Sequence, residues 1–177
     1  MGSEGTGLQE VNDLFKRGWG NYPTGVSVIT TGKDENEIYG MTAIRVMYCS
    51  ENPPMVLMLL GRLRQTYDNL EKYQRFGLNI LAGNQSAWAD FCARPPEQRG
   101  WNVPDGYTFS KNGTPLIPGS LVSFDCKVVA KYELKPEVLM YVGEVESIDP
   151  TDGLPMIFFR GEYLDVGYVE DEEEQIS

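Results

Sequence analysis

Six consecutive apolar residues, Met55-Val56-Leu57-Met58-Leu59-Leu60, constrain this chain more than any other feature. They follow Pro53-Pro54 and offer no polar side chain to a solvated face. Such a run suits a central strand buried on both sides. Each buried side chain contributes roughly 1.5–3 kcal/mol before chain entropy is subtracted, so the run is expected to anchor the core.

The surrounding stretch, Tyr39 to Thr66, has a strand-like start, a polar bend, the apolar run and an arginine-bearing loop that leads into a helical pattern. Backbone N–H groups and small side chains near Thr42 and Ala43 can line a flat ring. Arg62, Arg64 and Thr66 precede a helix, and a helix N-terminus binds phosphate through free N–H groups and its dipole. A planar cofactor with a phosphate tail needs both features side by side.

Elsewhere the patterns are short. Thr6-Gly7-Leu8-Gln9 fits a capping box, and Leu8, Val11, Leu14 and Phe15 follow at helical spacing. That helix is expected to lay its apolar face on the domain. Val26 to Thr31 reads as a strand that turns through Gly32 to Asn36 and returns at Glu37 to Tyr39. Tyr67, Leu70 and Tyr73 mark a helix, and Phe76 to Leu81 a strand. Asn84 is expected to cap a helix that puts Trp88, Phe91 and Cys92 on one face, with Arg94-Pro95-Pro96 stopping it. Glu97 to Gly119 is too long for a tight connection and reads as an excursion over a pocket, with Trp101 a possible cover. Strands at Leu121–Tyr132, Val138–Val145 and Met156–Tyr163, without helices between, indicate an antiparallel sheet or barrel. One domain, residues 1–168, is expected, followed by an acidic, solvated tail from Val169.

Composition excludes several functions. Acidic residues outnumber basic ones 26 to 15, a formal charge of −11, so nucleic acid is not an expected partner. There is no histidine, which removes Ser-His-Asp and Cys-His catalysis and any imidazole base. Cys49, Cys92 and Cys126 form no CxxC pair; no zinc site and no disulfide framework is expected. Cys126, on an apolar strand face, reads as buried and inert. No apolar run is long enough for a bilayer, and MGSEGTG lacks the segments of a signal peptide. A cytoplasmic protein with no membrane partner is expected.

Seven segments, in order and at the right spacing, resemble the short-chain flavin reductase-like family, whose members have an FMN-binding split β-barrel. Thr24-Gly25-Val26 with Val28 and Thr30-Thr31 resembles TGV-x-V-x-TT. Gly40-Met41-Thr42-Ala43, with Pro53-Pro54 nine residues on, resembles GMTA…PP. Thr66 resembles the threonine that opens the next helix. Phe76, Asn79 and Leu81 resemble F-x-V-N-V-L. Gly113, Pro115 and Leu116, then Cys126, resemble G-x-P-L…C. Gly143 and Val145 resemble the late G-x-V strand. Pro155 to Phe158, Gly161 and Tyr163 resemble PLLY…G-x-Y.

The resemblance implies a mainly β split barrel with flanking helices that binds FMN, with FAD an alternative, as a homodimer with each flavin near the subunit interface. It implies a flavin-dependent oxidoreductase, first of all an NAD(P)H:flavin reductase, using NADH or NADPH, that supplies reduced flavin to a partner monooxygenase. Hydride transfer between two cofactors needs positioning rather than an acid or base, so the absence of histidine is compatible. Expected cofactor-binding residues are Thr42, Ala43, Ile44, Arg45, Leu60, Arg62, Arg64, Thr66, Asn79 and Tyr163.

Two departures keep other readings open. The family's Ser/Ala-rich stretch after TA is here Ile44-Arg45-Val46-Met47-Tyr48-Cys49-Ser50. Arg45 either lies on the solvated surface or places a permanent charge beside the ring, where it would stabilise anionic reduced flavin or take an acidic substrate; it is the expected catalytic residue. The family's GDH triplet falls on Pro136-Glu137-Val138, so the histidine tied there to nicotinamide nucleotides is Val138. An FMN-dependent tailoring enzyme acting without NAD(P)H, or a non-catalytic flavin carrier, are the alternatives.

Overall fold

The computed structural model describes residues 4–33, 37–61, 65–99 and 103–166. Arg62, Arg64, Trp101 and the acidic tail lie outside the described residues.

The order is α1 (Glu4–Trp19), β1 (Thr24–Gly25), β2 (Ser27–Thr31), β3 (Tyr39–Ala43), β4 (Val46–Glu51), β5 (Pro54–Gly61), α2 (Gln65–Tyr73), β6 (Arg75–Ile80), α3 (Ser86–Ala93), β7 (Thr108–Phe109), β8 (Pro115–Leu116), β9 (Val122–Lys135), β10 (Val138–Pro150), β11 (Met156–Phe159) and β12 (Glu162–Asp165). Seven strands form one antiparallel sheet, ordered β3-β2-β6-β9-β10-β5-β4. Among the described residues the sheet does not close into a barrel: β3 and β4 are its two edges. β1, β11 and β12 make a second, three-stranded sheet.

Burial divides over the two faces of the large sheet. Ile29, Val56, Met58, Leu60, Phe76, Leu78, Leu139 and Tyr141 share one core with Leu70 of α2. Val26, Val28, Leu81 and Ile117 share the other with Trp88, Ala89 and Cys92 of α3. β2 is therefore buried on both faces along its whole length, all five residues being buried, because α2 and α3 both pack on it; Phe76 to Asn79 of β6 are buried likewise.

The expectation for β5 needs correction. Val56, Met58 and Leu60 are buried, but Met55, Leu57 and Leu59 are only half-buried on the opposite face. An apolar run without alternation fixes the strand, not what covers its second face. The α1 expectation also fails: Leu8, Val11, Leu14, Phe15 and Trp19 are exposed, and the helix starts at Glu4, so Thr6 is not its N-cap. Periodicity reports an apolar stripe; it does not say which surface receives it. Met156 to Tyr163 is a hairpin, not one strand, since Arg160 and Gly161 both take positive φ (51° and 92°) and turn the chain. Gln85, not Asn84, precedes α3. Its Oε1 accepts from the Ala82 N–H, and its Nε2 donates to the Pro118 carbonyl.

Candidate functional site

Among the described residues β3 is hydrogen-bonded to β2 alone, so one side of its backbone is an edge there. A cleft of about 210 Å³ opens along it, lined by Tyr39 to Thr42, by Thr66 at the amino end of α2, and by the carboxyl end of α3 with Arg94, Pro95 and Arg99. Gly40 permits this closeness. A Cβ there would lie 2.7 Å from Cys92 Sγ, so any side chain would push α3 away from the strand.

The cleft is cationic in an acidic protein. Arg94 and Arg99 line it, and no carboxylate is among its lining residues. Arg99 Nε donates to the Arg94 carbonyl at 2.8 Å and Nη2 to the Cys92 carbonyl at 3.1 Å. It thereby satisfies and offsets the negative end of α3, while the positive end of α2 meets the same space at Thr66. The combination suits an anion. Its volume accommodates a phosphate and part of a chain, not a three-ring system, since pockets for whole cofactors run to about 300–1,000 Å³. Burial pushes the Cys92 thiol up to about 12, against the lowering effect of Arg99. At neutral pH it is a thiol, unsuited to nucleophilic or redox duty.

The structure brings Thr42 and Thr66 together at this cleft. The Thr42 hydroxyl donates to the Ala89 carbonyl of α3 at 2.6 Å, which leaves the backbone of β3 to meet a ligand. Ala43, the last residue of β3, is buried in the first core. Ile44 lines a different, larger groove. Arg45 is exposed at the β3–β4 turn, and its carbonyl accepts from the Leu59 N–H at 3.0 Å.

Three more expected residues do not line the cleft. Leu60 belongs to the first core. Asn79 is fully buried: its Nδ2 donates to the Val28 carbonyl and Thr30 Oγ1, and its Oδ1 accepts from the Ile117 N–H and Ser123 Oγ. Those four bonds use the whole capacity of an amide. Tyr163 packs on Phe158, ring centroids 5.7 Å apart.

Sequence reasoning missed Tyr39, Arg94 and Arg99. Arg94 was read only through the prolines that stop α3, and Arg99 lay in the polar excursion. The available signal was two arginines six residues or less from a helix end, in a chain whose charge is otherwise acidic.

A family model described as "Flavin reductase like domain" matches residues 19–167. An NADH-dependent flavin reductase of Rhodococcus sp is 31% identical over 158 residues, 87% of this chain and 86% of its own length. An NADPH-flavin oxidoreductase of Streptomyces viridifaciens is 30% identical over 164 residues, 91% of this chain and 82% of its own. Among solved structures, flavin reductase PheA2 in its native state superposes with a TM-score of 0.79 at 29% identity, covering 89% of this chain and 99% of its own. With the seven-stranded antiparallel sheet and the GMTA edge strand in place, these matches establish that the chain belongs to the flavin reductase-like family.

Proposed function

We propose that this protein is an NAD(P)H:flavin oxidoreductase that binds FMN non-covalently and supplies reduced flavin to a partner monooxygenase. One observation carries the reading: Thr42 and Thr66, far apart in sequence, meet in a cationic cleft on a free strand edge. The phosphate end of the cofactor fits that cleft, held by Arg94, Arg99 and the first turn of α2. The backbone of Thr42 and Ala43 orients the ring, and Arg45 offers its charge from the turn beyond. Bound flavin supplies the two-electron chemistry, so the chain needs no acid or base of its own.

An apolar sheet face supports a homodimer. Met47, Leu57, Val142 and Ala130 lie opposite one another across β4, β5, β10 and β9, as do Leu59, Met140 and Tyr132. Met47 and Tyr132 are more than half exposed, and a contiguous apolar face of this kind marks an association surface. Free cysteines and the absence, among the described residues, of any helix long and apolar enough to cross a membrane fit a cytoplasmic setting.

Val138 favours one second reading, a tailoring oxidoreductase that does not use NAD(P)H. It opens β10 opposite Gly61, the residue that precedes Arg62 in the sequence. The test is anaerobic mixing of the FMN-loaded protein with NADH or NADPH while flavin absorbance is followed. Rapid bleaching is the expected result. No bleaching with either nucleotide, together with turnover of another compound, would establish the tailoring enzyme instead.

A further inference from the structure

A groove of about 950 Å³ runs between the carboxyl end of α1, β1 and the β11–β12 turn, and ends at Ile44 of the β3–β4 turn. It shares no lining residue with the cleft beside Thr66. We propose that the acidic carboxyl-terminal segment of the same chain, Tyr168 to Ser177, docks in this groove and covers its aromatic surface. The inference goes beyond the flavin reading and does not depend on it.

The groove is both apolar and cationic. Leu14, Phe15, Trp19 and Tyr22 line it, and each is more than half exposed. Phe15 and Trp19 are stacked, their ring centroids 6.2 Å apart, and Tyr22 packs on Trp19 at 5.4 Å. A contiguous apolar patch of this kind marks a surface that another segment covers. Lys16, Arg17 and Arg160 line the same groove, and no carboxylate does. Among the described residues none of these three cations has a carboxylate partner. Arg160 donates from Nε and Nη2 to Asn21 Oδ1, at 3.1 and 2.7 Å, which fixes the guanidinium and leaves Nη1 for an acceptor. On the wall formed by β1, Thr24 Oγ1 is buried and has no hydrogen-bond partner among the described residues. A buried hydroxyl in that state is costly, and a carboxylate or carbonyl oxygen would satisfy it.

The chain carries the complement of this surface. Glu170-Asp171-Glu172-Glu173-Glu174 is an unbroken run of carboxylates, preceded by Tyr168 and Val169 and followed by Ile176. The segment therefore offers anions to the three cations and apolar side chains to the aromatic patch. In a protein of charge −11 most of the surface repels such a run, and a groove with cations and no carboxylate attracts it. Contacts from arginine to carboxylate are short and directional. The point of attachment also fits. β12 ends at Asp165, and Gly161, which lines the groove, lies four residues back along that strand, about 14 Å away. From Asp165 forward to Glu170 an extended chain reaches about 17 Å. A chain that folds back after β12 thus brings its first carboxylates level with Arg160.

Carbodiimide coupling tests this, because it joins a lysine to a carboxylate only where the two meet. The full-length protein is treated at low salt and digested, and the linked peptides are identified by mass spectrometry. Lys16 joined to a residue of Glu170 to Glu174 is the expected product. Its yield should fall by about fivefold or more in Arg17→Glu, which reverses a charge in the groove and leaves Lys16 in place. Lys72 and Glu37, 2.9 Å apart, supply a link elsewhere in the fold that reports native structure and active reagent in every sample. Acrylamide quenching of Trp19, taken as the difference from Trp19→Phe in each background, gives a second readout. It should rise by about twofold when Glu170 to Glu174 are replaced by their amides, since the aromatic patch is then uncovered.

A sample in which the Lys72–Glu37 link forms and Lys16 is joined to none of Glu170 to Glu174 overturns the proposal. So does a Lys16 link that Arg17→Glu leaves at the wild-type yield, or Trp19 quenching that does not respond to the amide replacements. Coupling in a mixture of isotopically light and heavy protein decides whose segment is bound. Links within one isotope seat the segment on its own chain, as proposed. Mixed pairs would seat the segment of a second copy in the groove and overturn the intramolecular assignment. No arm of the test uses flavin, so a protein that fails to bind FMN would refute the flavin reading and leave this result standing.

Discussion

Gly40 and Cys92 touch across the cleft: a methyl group on the glycine would sit 2.7 Å from the buried sulfur of the cysteine. That one contact fixes the distance between the edge strand β3 and the carboxyl end of α3, and with it the width of the anion cleft. Gly40→Ala should therefore lower stability by about 1–3 kcal/mol, the usual penalty for an overpacked interior. It should weaken FMN binding as well. Cys92→Ala makes room, so the double variant should recover much of both. A double-mutant cycle of thermal stability checks this; additive effects would show that the two residues do not meet.

Asp125 is the second point of tension. Its side chain is fully buried. It accepts from Arg75 at 2.9 Å, Ser110 at 2.8 Å, Asn112 at 2.7 Å and Thr114 at 2.6 Å, and so ties the loop at 110–114 to β6 and β9. Burial alone would raise its pKa, but the hydrogen bonds from Thr114, Asn112, Ser110 and Arg75 outweigh it and hold the carboxyl below its usual 3.8. A depressed folded-state pKa means stability present above the unfolded value and lost as pH falls through the folded one. The protein should lose stability below about pH 4, and Asp125→Asn should flatten that acid limb. Asp125→Ala should cost about 1–3 kcal/mol at pH 7, because Ser110, Asn112 and Thr114 lose their shared acceptor, while Arg75 keeps Glu146 at 2.6 Å. Chemical denaturation from pH 2 to 7 measures both.

Asn79 separates a family motif from a ligand contact. All four of its hydrogen bonds are internal. Replacement by leucine should cost about 2–4 kcal/mol, since several buried groups lose partners at once. The folded fraction should still bind FMN with wild-type affinity. A Kd raised by an order of magnitude in material of native circular dichroism would return Asn79 to the cofactor site.

Local patterns carried the elements well, because strand alternation and helix periodicity are properties of adjacent residues. Met55–Leu60, Phe76–Leu81 and the Leu121 strand all appear close to where they were placed. What alternation does not encode is the third dimension. The exposed stripe of α1 and the open second face of β5 depend on surfaces the element cannot see. The same holds for the cleft: Thr42 and Thr66 were legible through their motifs, whereas Arg94 and Arg99 reach it only because Gly40 lets α3 approach. Asp125 escaped notice because a charged residue inside an apolar strand shows its role only when Arg75 and the 110–114 loop arrive from elsewhere in the chain.

Arg45 gives an electrochemical prediction. It is exposed at the turn that follows β3, so its removal should leave thermal stability within about 0.5 kcal/mol of wild type. If its charge favours the anionic reduced flavin, Arg45→Ala should lower the two-electron midpoint potential, by roughly 30 mV for each tenfold of lost preference. Spectroelectrochemical titration of the FMN-loaded variant reads this directly, and a potential equal to wild type would assign Arg45 to the solvated surface.

Arg94 tests the anion cleft without disturbing the fold. It is exposed, and its carbonyl, not its side chain, receives the bond from Arg99; truncating the side chain therefore leaves the cap of α3 in place. A charge-assisted contact to phosphate contributes about 1.5–3 kcal/mol, so Arg94→Ala should raise the Kd of FMN by about ten- to a hundredfold. Riboflavin has the same ring and no phosphate, and its Kd should not move. Fluorescence titration of both ligands against both proteins makes the comparison. Equal losses for FMN and riboflavin would place Arg94 near the ring, and no loss for either would leave the cleft without its anion.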